Sequence, residues 1–251
     1  METLTFKLSG NTAFFKQPDV NTYLYYTYGN IHKIALLGLF GSILGLNGYN
    51  QQKKNEDYPE FYQKLKTLKI AICPLNDQGY IPKKVQVFNN SVGYYNKDKQ
   101  DKPCNLIVKE QWLEKPVWQI YLLLDGLNES LLLQSLKKRM VEKRFVYLPY
   151  LGKNDHYANI EAIAVHPIIR TMTETPIIID SFFPKKTGEL IPKRGLGKKE
   201  PDFKYEERLP IALESVCNQY VTESLIFTNI PVKLNQDFPV YEVNGKNLMY
   251  L

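Results

Sequence analysis

The chain has 251 residues, is 44% hydrophobic and carries a formal net charge of +6 at pH 7. That size and apolar content exclude a disordered or fibrous polymer and allow one large domain or two small ones around a real core. Three cysteines, Cys73, Cys104 and Cys217, are odd in number and lack metal-ligand spacing, so neither a disulfide framework nor a zinc site is expected, and the compartment is read as reducing.

Leu4 to Leu8, LTFKL, alternates apolar and polar positions as a half-buried strand does. In GNTAFFKQP, Phe14 or Phe15 belongs to the core while Lys16 and Gln17 can face outward. The tyrosine-rich NTYLYYTYGN, which includes Tyr26, leads into the most apolar stretch, IHKIALLGLFGSILGL, from Ile31 to Leu46. Its uncharged run is shorter than the roughly 18 residues of a membrane span, and no basic segment opens the chain as in a signal peptide. A soluble helix in a cytoplasmic protein is therefore expected. Gly38, Gly41 and Gly45 recur at i, i+3 and i+7, giving that helix a smooth stripe for close backbone approach. Across the stripe lies either tightly packed protein or a nucleic-acid backbone. His32 and Lys33 stand at the helix start, where free N–H groups attract phosphate.

Pro59 to Leu65 fits a second short helix, and TLKIAICPL, from Thr67, a strand ending at Pro74. KKVQVFNN and NLIVKEQW read as the two strands of a hairpin at about 83–113, with an exposed tip at Asn96 to Pro103. PVWQIYLLL is a buried strand. DGLNESLLLQSLKKRMVEK is a helix capped by Asn128, with Leu131, Leu132 and Leu136 on its buried side. RFVYLPY, residues 144–150, reads as a further strand. The order strand, helix, strand, hairpin insertion, strand, helix, strand predicts an α+β domain of ferredoxin-like (RRM-like) type over residues 1–150. Residues 151–251 show short strands punctuated by proline and glycine, a β-rich region expected to pack on the first domain.

Basic residues concentrate in three places. Lys83, Lys84, Lys97, Lys99, Lys102, Lys109 and Lys115 lie on the hairpin among Phe88, Tyr94, Tyr95 and Trp112, a combination that can neutralise phosphates while rings stack on splayed bases. The cluster Lys137 to Arg144 suits a helix C-terminus. Lys185 to Lys199 resembles a basic loop, equally able to meet RNA, DNA or an acidic protein. In YLPYLGKNDHYANI, Tyr150 offers a stacking face, Gly152 close backbone approach, and Lys153, Asn154 and His156 donors for phosphates or base edges; the same residues also make a good turn.

The segments FKLSGNTAFFKQPDVNTYLYYTYGNIHKIALLGLFGSILGL, IVKEQWLEKPVWQIYLLLDG and YLPYLGKNDHYANI resemble the Cas-five family of CRISPR-associated proteins, within the RAMP superfamily. The branch found in type I-B Cascade is the most similar. The likeness runs from Leu4 through Ile160, with a looser echo in the terminal YEVNGKNLMYL; residues 182–237 align with nothing. The resemblance implies a ferredoxin-like domain with an inserted β-hairpin thumb, acting as a non-catalytic subunit that caps the 5′ handle of a crRNA in antiviral defence. A Cas-seven backbone subunit and a Cas-eight-type large subunit would be its protein partners, and target DNA would be met indirectly, through guide pairing.

One branch of that family resembles a metal-independent endoribonuclease, which needs a base for the RNA 2′-hydroxyl and a donor for the developing oxyanion. Candidates are His32 with Lys33 and Tyr28, or His156 with Lys153; His166, before Pro167, reads as structural. In the type I-B-like branch a separate Cas-six endoribonuclease is expected to process the precursor, so no catalysis, cofactor or metal is expected here. Two alternatives stand beside the RNA-capping subunit: a crRNA-processing ribonuclease, and a protein-only scaffold whose basic face meets an acidic subunit.

Overall fold

Alternation in the first strand sets the architecture. β1 (Glu2–Ser9) buries Leu4, Phe6 and Leu8 on one side and turns Thr3, Thr5 and Lys7 to the other. In the computed structural model, which describes residues 1–19, 23–90, 106–124, 131–172, 175–192, 201–235 and 238–251, β1 is followed by β2 (Thr12–Ala13), α1 (Lys33–Leu44), α2 (Glu60–Leu65) and β3 (Ile70–Pro74). Next come the hairpin strands β4 (Lys83–Asn89) and β5 (Ile107–Glu114), then β6 (Val117–Leu123), α3 (Leu131–Glu142) and β7 (Asn159–Pro167). The remainder consists of strands: β8 (Arg170–Met172), β9 (Phe183–Pro184), β10 (Gly188–Leu190), β11 (Lys204–Leu213), β12 (Tyr220–Thr228), β13 (Val232–Leu234), β14 (Val240–Val243) and β15 (Lys246–Leu248).

β3, β6, β1 and β7 form one antiparallel sheet in that spatial order. Its inner face carries Leu4, Phe6, Trp118, Ile120 and Ile72, packed in one apolar cluster with Leu36, Leu37 and Phe40 of α1 and Leu136 and Met140 of α3. Phe6 and Phe40 meet edge to face at 6.1 Å. Leu209, Leu213 and Leu225 join the same cluster, so the β11–β12 hairpin closes over α1. This explains why α1 is apolar nearly all round: it lies between the sheet, α2 and the second half of the chain. Among the described residues no helix is long and apolar enough to cross a membrane.

Three local expectations change. Leu131, expected on the buried side of α3, is exposed, and Leu133 packs in the core with Leu136. Residues 144–150 form a connecting loop instead of a strand: the Val146 and Tyr147 N–H groups donate to the Ile43 and Ser42 carbonyls at 3.2 and 3.1 Å. The loop thereby bonds carbonyls in the last turn of α1, the Ser42 carbonyl accepting the Gly45 N–H as well. The sheet's fourth strand is instead β7, placed by the sequence reading in the β-rich region. The hairpin tip with Tyr94, Tyr95, Lys97, Lys99 and Lys102, together with Cys104 and the expected cap Asn128, lies outside the described residues.

Candidate nucleic-acid interface

The two segments singled out separately in the sequence, the glycine helix and PYLGKN, line one groove of about 950 Å³. α1 contributes Gly38, Leu39 and Ser42; the 14–16 segment contributes Phe14, Phe15 and Lys16; and the loop after α3 contributes Tyr147, Tyr150, Gly152 and Lys153. Tyr25, Tyr49, Phe61 and Tyr220 add further rings, and Asn47, Asn50 and Gln51 add amides. The charged side chains on its wall are Lys16, Lys153 and Glu110. Aromatic faces therefore outnumber cations, an arrangement suited to unstacked bases more than to a run of phosphates.

The three helix glycines divide their work. A Cβ at Gly38 would find its nearest neighbour, Phe61 Cε2, 4.0 Å away, so its face is open to the groove. At Gly41 a Cβ would sit 2.6 Å from Phe61 Cβ, and close packing of α1 on α2 requires its absence. Gly45 ends the helix in the left-handed region at φ 78°. The smooth stripe thus serves protein packing at Gly41 and the groove at Gly38.

His32 caps α1: its Nδ1 accepts the Ala35 N–H at 3.2 Å, and its ring meets Phe15, Tyr28 and Tyr220 edge-on at 5.3 to 5.8 Å. Burial pushes its pKa down to about 3, so the ring is neutral. Lys33 is directed elsewhere, donating to the Leu251 carbonyl at 3.0 Å, and its own burial lowers its pKa. Lys16 lies over the Tyr25 ring at 4.1 Å, while Gln17 is stitched to Tyr26 and Thr27 through backbone and amide bonds.

Glu110, which the sequence reading passed over, organises the groove wall. Its buried carboxylate accepts from Lys153 Nζ at 3.1 and 3.3 Å and from Trp112 Nε1 at 2.8 Å. Lys153 also lies over the Phe88 ring at 5.0 Å and near Asp155 at 3.6 Å. His156 stands behind this cluster, not on the groove wall. Its Nδ1 pairs with Thr12 Oγ1 at 2.6 Å, its ring meets Trp112 at 4.6 Å, and burial lowers its pKa. Gly152 is required by the same close fit: its φ is 88°, and a Cβ would fall 1.9 Å from the Phe14 carbonyl oxygen.

The hairpin presents its faces differently from the expected arm of free rings. Lys84 pairs across the ladder with Trp112, and Phe88 with Val108, on the side turned toward Lys153 and His156. Phe88 and Trp112 are therefore half-buried, and Lys84 is engaged with Glu114 at 3.6 Å. The outward side carries Lys83, Val85, Val87, Ile107 and Lys109. Asn154 is exposed beside the groove, and Lys97 lies outside the described residues. In the third basic run, Lys185 and Lys186 are paired with Glu206 and Glu223 at 2.9 and 2.6 Å, and residues 193–199 are not described. So Lys16, His32, Gly38, Tyr150, Gly152 and Lys153 converge on the groove, while Gln17, Tyr26, Lys33, Gly41, Lys83, Lys84, Lys109, Asn154 and His156 do not line it. Tyr147 and Tyr220 were missed because their rings reach the wall from a loop read as a strand and from the distant C-terminal half.

Compared with solved structures, this chain is similar over 92% of its length to 91% of a chain in a structure described as a CRISPR RNA-guided surveillance complex, with a TM-score of 0.52 and 12% identity. The two share a fold. A CRISPR protein from Archaeoglobus fulgidus covers 99% of this chain with 98% of its own at 13% identity and a TM-score of 0.48. No family model matches the chain, and no curated protein does.

Proposed function

We propose that this chain is a non-catalytic crRNA-binding subunit of a type I CRISPR surveillance complex, a Cas-five-like member of the RAMP superfamily that holds the 5′ handle of the guide in the groove along α1. The observation that carries the reading is the convergence of Gly38 with Tyr150, Gly152 and Lys153 on one aromatic groove. Tyrosine faces would take splayed bases, the open face at Gly38 would admit the strand close to the helix, and Lys16 and Lys153 would offset its charge. The β3-β6-β1-β7 order with α1 and α3 as crossovers supports a ferredoxin-like domain continuing to Pro167, with the β4–β5 hairpin as its inserted thumb. A Cas-seven backbone subunit and a Cas-eight-type large subunit are the partners this reading implies.

The absence of catalysis is part of the proposal, and the geometry of both histidines supports it. Because His32 Nδ1 accepts from Ala35 N–H, the neutral ring carries its proton on Nε2 and has no lone pair left to take a 2′-hydroxyl proton. Lys33 is tied to the Leu251 carbonyl, and burial pushes the Tyr28 phenol up to about 12. His156 is buried behind Trp112. Incubating labelled repeat RNA with the purified protein in EDTA, alone and with co-expressed partner subunits, tests the proposal. Retention without cleavage is expected, reduced by Lys153→Ala and Tyr150→Ala. Site-specific cleavage lost on His32→Ala or His156→Ala would make this the processing enzyme, and no retention in any mixture would leave the protein-only scaffold.

A further inference from the structure

The outer face of the β3-β6-β1-β7 sheet, opposite the helices, is only partly covered. Val243, Leu248 and Tyr250 of the C-terminal strands pack over Ala71, Cys73 and Tyr121 at one end. Beside them a separate cleft of about 450 Å³ opens between the sheet and the second half of the chain. Its volume lies within the range of small-molecule sites, about 300–1,000 Å³.

The chemistry of its wall is specific. Phe203 and Phe227, 5.6 Å apart, give it an aromatic side, and Ala162 and Ala164 keep its sheet side shallow where larger residues would fill it. Tyr121, His166 and Asn244 all line the cleft, and no hydrogen bond of their side chains is found among the described residues. Gln119 donates its amide N–H to Thr5 Oγ1, which leaves the Gln119 carbonyl oxygen as an acceptor. The cleft's cation, Lys246, is neutralised by Asp180 at 2.8 Å, so donors and acceptors are offered without net charge. The cleft wall also contains a β-bulge: register shifts between Thr5 and Lys7, and Ala162 adopts a φ of 49°, a conformation alanine rarely takes. Bulges of this kind re-aim side chains and occur next to functional sites.

We propose that this cleft is a second ligand site, for a nucleobase: an uncharged planar heterocycle with both donors and acceptors on its edge. The base lies against Phe203 and Phe227 while Tyr121, Gln119, His166 and Asn244 read its edge. Among the described residues the one lysine of the cleft, Lys246, is already paired with Asp180, so a 5′-phosphate gains little there and a nucleoside and its 5′-monophosphate bind within about twofold of one another. The base comes either from a free nucleoside or from an RNA strand. The site is independent of the groove along α1, and it stands or falls separately from the crRNA reading.

The test titrates adenosine, guanosine, cytidine and uridine, their monophosphates and a short single-stranded RNA into the full chain, read by ligand-observed NMR. Four proteins are compared: wild type, Ala164→Trp to fill the cleft, Tyr121→Phe to remove one hydroxyl, and Tyr147→Ala in the groove as a control. At least one nucleoside is expected to bind wild type. Ala164→Trp abolishes that binding, Tyr121→Phe weakens it by about three- to tenfold, and Tyr147→Ala leaves it unchanged. If the RNA competes with the nucleoside, the strand supplies the base; if it does not, the free nucleoside does. No nucleoside binding to wild type, or binding indifferent to both cleft variants, overturns the proposal.

Discussion

Burying a neutral histidine as a helix cap makes stability depend on pH in a way that can be worked out from His32. Phe15, Tyr28 and Tyr220 enclose its ring, and its folded-state pKa is about 3, against about 6.5 when the chain is unfolded. Between those values the unfolded chain binds a proton that the folded chain refuses, so stability falls as pH falls. The contribution is fully present above pH 6.5 and is lost progressively toward pH 3. Each pH unit below the free value costs about 1.4 kcal/mol, so acidification from pH 7 to 5 removes about 2 kcal/mol through this residue. Burial also lowers the pKa of His156 and raises that of Glu207, the latter acting with opposite sign. The comparison must therefore be with His32→Asn, which keeps a capping side chain and removes the titration. Urea unfolding of both proteins at pH 7 and pH 5 should show the wild type losing about 2 kcal/mol more than the variant. Equal losses in the two proteins would mean that His32 is not a buried neutral cap.

The helix glycines separate by their surroundings. Gly38→Ala should raise stability by about 0.5–1 kcal/mol yet weaken RNA retention, while Gly41→Ala, driven into Phe61, should cost about 1–3 kcal/mol; equal destabilisation of both in denaturant titration would remove Gly38 from the groove. Glu110→Gln, which takes the charge partner from Lys153, should cost about 1–3 kcal/mol and lower the RNA affinity, and an unchanged urea midpoint would refute its organising role. Binding through Lys16 and Lys153 alone predicts a shallow salt dependence, a log–log slope of about −1.4 for two phosphate contacts on a single strand. A slope steeper than about −3 would place the RNA on the hairpin lysines instead.

β1 and the hairpin strands could be read from periodicity because each alternates between two faces, whereas α1 was legible as a continuous apolar run between Gly and polar neighbours. The 144–150 segment could not: RFVYLPY has strand composition, but its N–H groups are taken by the Ile43 and Ser42 carbonyls, a tertiary demand invisible in local pattern. Part of the candidate site was likewise legible. Gly38 and the PYLGKN loop stood out by residue type, and both reach the groove. Lys33, Phe88 and Trp112 have the right chemistry for RNA but are spent on internal contacts. Nor does any local signal mark Tyr220 as a neighbour of His32, since β11 and β12 bring it there from the far half of the chain.

Photocrosslinking asks whether RNA occupies the groove along α1. The protein, co-expressed with its partner subunits and bound to guide RNA carrying 4-thiouridine in the 5′ handle, would be irradiated, digested and sequenced by mass spectrometry. Crosslinked peptides containing Tyr25, Tyr147, Tyr150 or Tyr220 are expected, with the yield falling in Tyr150→Ala. Crosslinks confined to the outward hairpin face around Val85 and Lys109, with none in the groove, would contradict that occupancy.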